Sequence, residues 1–598
     1  MSLYDPPLSF DGRRRRSRRK FLRIVPLGAA LALSGAFLPV SAPLAVDAPP
    51  LAASLSAHAG EDASPGGDSP APISVLPALL EGAPSAPSAT VALLQDELLT
   101  VLGAGAGRTG EWGVLAVSAR DGDVLFAQNA AAPLAPASNQ KLFTSAAALH
   151  ELGPDFRFPT YLLARGSVQN GILDGDLILY GTGDPSMASR LLPSAEAPFR
   201  EFARALREQG IHTVTGSVVG DGSFFTGPSR HPSWNAHSLN EWYAAPISGL
   251  SWNENVVSLQ IRATTAGARP EVRTHPAGAL LPMDNRGLTV AGASRSPLLI
   301  VRDDPDHPIG IQGEIRPGQG DVWRRMTVSD PPSFAASILH RILGEEGISV
   351  RGRPVGVNDP SLSLLSQASV VAPALKGERL WTVAVHTSPP LPDLLAVVNQ
   401  RSHNLYADAL LFTLGRVAEG TASFESGASA LTNYLTSVVG VDGEGLVIED
   451  GSGLSRFNRA QPVGFVQLLA HMEGDRYGDV FWESIPEAGD RQGIRRMYRS
   501  AAAGNLRAKT GTINRVSALS GRVNTLSGDP VYFSILANNV PSTAAAKRVE
   551  DQIGIQLASF SRPLGPGGLP SATAQGQMGS PVSASREIHA DGGIQDRP

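Results

Sequence analysis

The chain of 598 residues contains no cysteine. Disulfides, thiolate metal sites and a cysteine nucleophile are thereby excluded. Lysine is almost as scarce. Of 50 Lys and Arg residues only five are lysine: Lys20, Lys141, Lys376, Lys509 and Lys547. Arginine keeps its proton under biological conditions, whereas a buried lysine can lose it. A lysine retained in an arginine-dominated chain marks a position where arginine does not serve. Several motifs are missing too. No lysine follows a glycine, so a Walker A phosphate loop is absent, as are His-Glu-x-x-His and Gly-x-Ser-x-Gly. The 12 histidines are scattered and read as structural or surface residues rather than metal ligands. No metal or cofactor is expected.

What is present begins with an address. Four arginines at 13–16, then Ser17-Arg18-Arg19-Lys20-Phe21-Leu22, precede an uncharged run over 24–46. A basic head before an apolar stretch reads as an export signal, and the paired arginines resemble the twin-arginine type. The run is long enough to reach across a bilayer. Pro26, Gly28, Gly35, Pro39 and Pro43 weaken it as a spanning helix, so a cleaved signal over 1–45 is preferred to an uncleaved anchor. Ala42 and Ala45 are both suitable ends. The protein is then exported, to a periplasm or cell envelope. Beyond residue 45 there remain 42 basic against 53 acidic residues, a net charge of −11. Such a body repels a polyanion, which excludes nucleic acid as a partner.

The length is too great for one core. Residues 46–88 and the tail 562–598 are rich in Ala, Pro, Ser and Gly and read as a flexible spacer and tail. Between them, Val91, Leu94, Leu98 and Leu102 have helical spacing over 89–102. Asp121-Gly122 marks a hairpin turn between strands at 113–118 and 123–126. A helix is expected over 138–152, closed by Gly153-Pro154. The middle of the chain is different, with short β-like runs such as 177–180 and 256–261 and few helices, for example 334–345. Helices return at 391–414, 424–438 and 462–472. Strands at 516–524 and 531–537 and a helix over 542–559 close the body. This order predicts a multidomain α/β plus β fold, in which one α/β domain (89–155 and 376–561) is split by a mostly β insertion (156–375).

Three short motifs carry the chemistry. In Pro136-Ala137-Ser138-Asn139-Gln140-Lys141, the serine opens a helix and Lys141 follows at i+3 on the same face. Burial would lower the amine pKa until it accepts the serine proton. Alone, Ser138 is equally well explained as a helix cap, and Ser17 and Lys20 share its spacing. The second motif is Ser402-His403-Asn404. Ser-x-Asn also occurs at 233–235, 238–240 and 251–253, where each copy reads as a polar turn. The third, Lys509-Thr510-Gly511-Thr512, contains the chain's single Lys-Thr-Gly. On a sheet edge it offers backbone groups to an extended substrate, a cation for a carboxylate, and a glycine that admits close approach.

The order Ser-x-x-Lys, Ser-x-Asn, Lys-Thr-Gly, each in a suitable local structure, is the signature of serine penicillin-recognising enzymes. Within them the chain resembles the class C low-molecular-mass penicillin-binding proteins of peptidase family S13, the D-alanyl-D-alanine carboxypeptidase/endopeptidases. The resemblance runs over about 90–560. It rests on the 260 residues between Lys141 and Ser402, and on residues 180–186, 404–408 and 450–455. Asp408 departs from it, standing where glutamate is expected. The resemblance implies an antiparallel sheet flanked by helices, as in penicillin-binding proteins and serine β-lactamases. It implies Ser138 as the acyl-forming nucleophile and Lys141 as its base. Ser402 would relay or donate a proton, and Asn404 would hold the substrate amide and Lys141. Lys509 with Thr510 and Thr512 would bind the terminal carboxylate, with the Ser138 and Thr512 N–H groups as oxyanion hole. Substrates would be peptidoglycan peptides, with β-lactam antibiotics as covalent inhibitors. A β-lactamase or D-specific esterase or amidase on the same scaffold is the alternative chemistry, and a non-catalytic wall-binding scaffold the alternative class.

Overall fold

The computed structural model describes residues 88–279, 281–365 and 379–562. The expected signal over 1–45, the spacer up to residue 87, the tail beyond Arg562, and the lysines at 20 and 376 lie outside the described residues.

A five-stranded antiparallel sheet forms the centre, in the order Arg507–Ile513, Val516–Asn524, Pro530–Asn538, Glu111–Ser118, Val124–Gln128. Side chains along a strand alternate between faces. Trp112, Val114 and Ala116 therefore join one core, and Leu115 and Val117 the other. The strand Pro530–Asn538 divides in the same way, with Val531, Phe533 and Ile535 opposite Tyr532 and Leu536. Helices Ala89–Leu102 and Thr543–Ser559 cover the first face. The first of them buries Val91, Leu94, Leu98 and Leu102, as its spacing predicts, and Ser88 caps it by accepting from the Val91 N–H (3.4 Å). Helices Gln140–Leu152, Asn404–Glu419 and Pro462–Gly474 lie on the second face, which carries the motifs.

The segment between Lys141 and Ser402 builds two further cores. The hairpin of Pro159–Gln169 and Ile172–Gly181 heads a seven-stranded mixed sheet. Thr213–Val214 and Val218–Asp221 add to it in parallel, and parallel pairing requires a crossover. Helix Ala197–Glu208 supplies one, and packs with helix Pro331–Glu345 on the sheet through Phe199, Phe202, Ile338 and Ile342. These two α-helices stand among many short strands, in keeping with the mostly β texture and few helices that the sequence predicts. A smaller all-β core of Leu259, Ile261, Ile309, Ile311 and Met326 completes the segment. The strand Arg379–Thr387 pairs with Pro159–Gln169, although the sequence boundary at 375 assigns it to the catalytic half. Pairing with a strand over 200 residues away leaves no local trace. The insertion is also keyed into the catalytic core, where the Phe225 and Phe412 rings lie 5.0 Å apart. Fully burying a phenylalanine contributes about 1.5–3 kcal/mol.

The helix expected over 391–414 is two helices, Leu391–Gln400 and Asn404–Glu419. Between them Ser402 adopts a left-handed φ of 54°. Apolar residues continue with helical spacing on both sides, so periodicity conceals the break. The break turns Ser402 out of the helix.

At the end of the body Arg562 gathers two turns of the central sheet. Its guanidinium donates to Asp529 (2.9 Å), Asp123 (2.8 Å), Asp121 (2.8 Å) and the Ser118 hydroxyl (2.8 Å). Asp529 and Ser118 are fully buried. Removing one partner of a buried pair costs about 3–5 kcal/mol, because a charge is left uncompensated. The variant Arg562→Met should therefore lose about 3 kcal/mol of stability, read as a lowered urea midpoint by tryptophan fluorescence.

Candidate active site

The nucleophile motif sits where a short 3-10 turn, Ala137–Asn139, enters helix Gln140–Leu152. One helical turn separates Ser138 from Lys141, and the Lys141 Nζ donates to Ser138 Oγ at 3.1 Å. The amine also donates to Asn404 Oδ1 (2.7 Å) and to the Ser452 carbonyl. Lys141 is completely buried. Burial pushes its pKa down to about 8, against the opposing pull of the Asp408 and Asp450 carboxylates. Ser138 stays partly exposed. The pair thus combines an accessible hydroxyl with an amine close to giving up its proton.

The second and third motifs converge on the same place. Asn404, which opens helix Asn404–Glu419, faces Lys141 with its oxygen and donates with its nitrogen to the Tyr243 carbonyl (2.7 Å). Ser402 Oγ accepts from Lys509 Nζ at 2.9 Å, and the same amine donates to the Thr510 carbonyl (2.9 Å). Lys509 is fully buried, and its pKa is pushed well down, first by burial and then by the neighbouring Lys141 charge. Each motif lysine therefore stands beside a motif serine: Lys141 at Ser138, Lys509 at Ser402.

The strand Arg507–Ile513 is the sheet's edge. Alternation places Lys509 and Gly511 on the face toward the serines, and Thr510 and Thr512 on the other. Gly511 lies against the nucleophile turn. A Cβ there would sit 2.9 Å from the Pro136 carbonyl and 3.1 Å from the Ser138 nitrogen. The Asn139 side-chain amide stitches turn to strand. Oriented to suit both neighbours, it donates to the Lys509 carbonyl (2.8 Å) and accepts from the Ser520 N–H (3.1 Å). Thr512 is exposed, and its hydroxyl donates to the Gly511 carbonyl (2.7 Å). Among the described residues, no hydrogen bond joins the Thr510 or Thr512 side chain to Ser138, Lys141, Ser402 or Asn404.

Other residues of the site carried no role in the sequence reading. Asp450 is buried and accepts from Gly453 N (2.7 Å), Ser455 N (2.7 Å), Asn458 Nδ2 (3.0 Å) and Trp234 Nε1 (2.8 Å). These bonds fold residues 450–458 into a turn that aims the Ser452 carbonyl at Lys141. Gly453, at a φ of 77°, passes so close to the Ala137 carbonyl that a Cβ would lie 1.8 Å from it. Asp408, buried one helical turn beyond Asn404, accepts from the Gly451 N–H (2.9 Å). Burial and the Asp450 charge push its carboxyl well above the usual range. The run Asp450-Gly451-Ser452-Gly453 stood out in the sequence but had no assigned partner. The carbonyls of Ser452 and Tyr243 act through backbone, which no residue identity announces.

Residues 95–559 match the family model described as the D-Ala-D-Ala carboxypeptidase 3 (S13) family. The chain is 31% identical over 494 residues to a D-alanyl-D-alanine carboxypeptidase of Actinomadura sp. (strain R39), covering 80% of this chain and 85% of the relative. It is 27% identical over 430 residues to the D-alanyl-D-alanine carboxypeptidase DacB of Haemophilus influenzae, covering 70% and 84%. The crystal structure of penicillin binding protein 4 (dacB) from Haemophilus influenzae aligns with a TM-score of 0.63 at 24% identity, over 78% of this chain and 98% of that one. That likeness establishes a fold of the penicillin-binding and β-lactamase-like type, with the central antiparallel sheet described above. With three motifs gathered at Lys141 and a family match spanning the body, the chain belongs to the D-Ala-D-Ala carboxypeptidase 3 (S13) family.

Proposed function

We propose that this serine-type D-alanyl-D-alanine carboxypeptidase acts on peptidoglycan peptides through an acyl-enzyme on Ser138, and that β-lactams trap the same serine. The observation that carries the reading is the 3.1 Å bond between Lys141 Nζ and Ser138 Oγ, with Asn404 on the same amine. The substrate lies extended along the edge of strand Arg507–Ile513, its terminal carboxylate toward Lys509. Lys509 has lost much of its preference for the proton, and an arriving carboxylate restores it, which couples binding to charge. Ser138 Oγ attacks the penultimate carbonyl carbon while its proton passes to Lys141 Nζ. The N–H groups of Ser138 and Thr512 receive the oxyanion. The proton taken up by Lys141 then passes, relayed by the Ser402 hydroxyl, to the leaving D-alanine nitrogen as the C–N bond breaks. Water then cleaves the ester and frees Ser138. Crosslinked peptides with a D-amino-acid bond present the same carbonyl, so endopeptidase activity belongs to the reading. A structure of the Haemophilus influenzae protein is a complex with a novel β-lactam. That precedent supports the same serine as the site of inhibition.

The basic head and apolar run over 1–45 support export to the envelope, where peptidoglycan lies. For domain organisation, the reading is a catalytic body of 89–155 and the chain from 388 to 561. The inserted segment then extends to Thr387, because strand Arg379–Thr387 completes its sheet.

Two measurements test this. Ser138→Ala should abolish covalent labelling by fluorescent penicillin and stop release of D-alanine or cleaved dimers from purified peptidoglycan. Labelling that persists would remove Ser138 as nucleophile. The second uses pH. Only neutral Lys141 accepts the serine proton, and its pKa is about 8 in the free enzyme. The acylation constant with a chromogenic cephalosporin should thus rise about tenfold per pH unit up to about 8 and level off above it. Lys141→Arg cannot lose its proton and should acylate about 100-fold to 10,000-fold more slowly across that range.

A further inference from the structure

His403 stands between Ser402 and Asn404 but takes no part in the mechanism above. It is buried, and its ring packs against Trp242 (5.6 Å) and edge-on to Tyr406 (4.9 Å). Its Nε2 lies 3.3 Å from the Glu254 carboxylate. Glu254 comes from the inserted segment and is also buried. Arg190 grips the same carboxylate through Nε (2.5 Å) and Nη2 (3.2 Å), and Arg325 approaches it at 3.7 Å.

The backbone around this contact is unusual on both sides. Asn253, Glu254 and Asn255 have φ of 52°, 56° and 55°, three consecutive left-handed residues of which none is glycine. Such conformations are unfavourable for residues with a Cβ and persist where the surroundings over-determine them. The Asn255 side chain does this, donating to the Pro246 carbonyl (2.9 Å) and Ser251 Oγ (2.8 Å) and accepting from Trp252 N (3.2 Å). Across the contact, Ser402 holds its own left-handed φ of 54°. The strained turn of the insertion thus meets the strained turn of the catalytic body through the contact of His403 with Glu254, where burial pushes the imidazole below its ordinary pKa. A second tie lies one residue on, where Asn404 donates to the Tyr243 carbonyl.

From this arrangement we infer that His403, packed on Trp242 and set against the Glu254 carboxylate that Arg190 grips, is a positioning residue through which the inserted segment sets the Ser402–Asn404 turn. The two flanking side chains must point in different directions, Ser402 to Lys509 and Asn404 to Lys141. A fixed ring between them holds both. The inference rests on the proposed roles of Ser402 and Asn404.

The test is acylation by a chromogenic cephalosporin in the full chain, expressed per active site titrated with fluorescent penicillin. Glu254→Gln and His403→Phe preserve shape and remove, in turn, the carboxylate and the imidazole of this contact. Each should slow acylation at least tenfold per intact site, and the double variant should be no slower than the slower single one. A purely structural role would lower the unfolding temperature and leave the rate per titrated site unchanged. Wild-type rates in both single variants, or losses that multiply in the double variant, overturn the inference. Should these variants not fold, Arg190→Gln tests the same link from a part-exposed position. A several-fold slowing supports the inference and a wild-type rate overturns it. Ser138→Ala and Ser402→Ala, run alongside, separate the two readings. Binding by Ser138→Ala sinks the proposed function. A slow Ser402→Ala beside a wild-type Glu254→Gln sinks only this inference.

Discussion

Lys141 Nζ has been taken entirely out of water, and the rest of the catalytic body is arranged around that cost. An isolated ammonium in a protein interior is penalised heavily unless it finds partners or gives up its proton. Here it does some of each. Its hydrogen bonds run to Ser138, Asn404 and the Ser452 carbonyl, which come from three separate stretches of chain. Its pKa settles at about 8, between the unfavourable burial and the favourable carboxylates of Asp408 and Asp450. Neither extreme would serve the proposed role of this amine, which takes and returns a proton in each cycle. The Asp450 turn, the Gly453 close approach and the Asp408 cap on Gly451 all serve to hold the Ser452 carbonyl in place.

Lys509 meets the same constraint with a different outcome. It is as deeply buried, but its closest charged influence is another lysine rather than a carboxylate. Its surroundings therefore offer no carboxylate to stabilise the cation, and in the proposed function a substrate carboxylate supplies one. Two lysines of identical chemistry are thus set apart by their neighbours. Among the described residues the chain has one more lysine, Lys547, and its surroundings carry Arg496, Glu550 and Asp551.

The insertion is bound to the catalytic body at the site itself. Tyr243 meets Asn404, Trp234 meets Asp450, Glu254 meets His403, and Ser233 shares a hydrogen bond with Ser455 (2.6 Å). Each of these contacts reaches the Ser402–Asn404 turn or the turn formed by residues 450–458. Apolar packing between Phe225, Phe412 and Phe424 supplies the area behind them. The chain between Lys141 and Ser402 thereby supplies part of the surroundings of the candidate site.

How much of this could be read from residues alone depended on whether the information was local. Ser138 and Lys141 were legible because an i, i+3 spacing on a helix is a local geometry. Helix Ala89–Leu102 and the hairpin at Asp121-Gly122 followed from periodicity and turn chemistry for the same reason. The Lys-Thr-Gly edge and the scarcity of lysine needed only composition and order. Tertiary structure decided the rest. The break at Ser402 was hidden because apolar spacing is helical on both sides of it. Strand Arg379–Thr387 found its partner far back in the chain, which no local pattern encodes. The Ser452 and Tyr243 carbonyls carry the same atoms in every residue type, so only their placement makes them part of the site. By itself the sequence determined which groups were chemically able to act. Burial and long-range hydrogen bonding decided which of them share one site, because proton affinity is set by neighbours and water and not by residue identity.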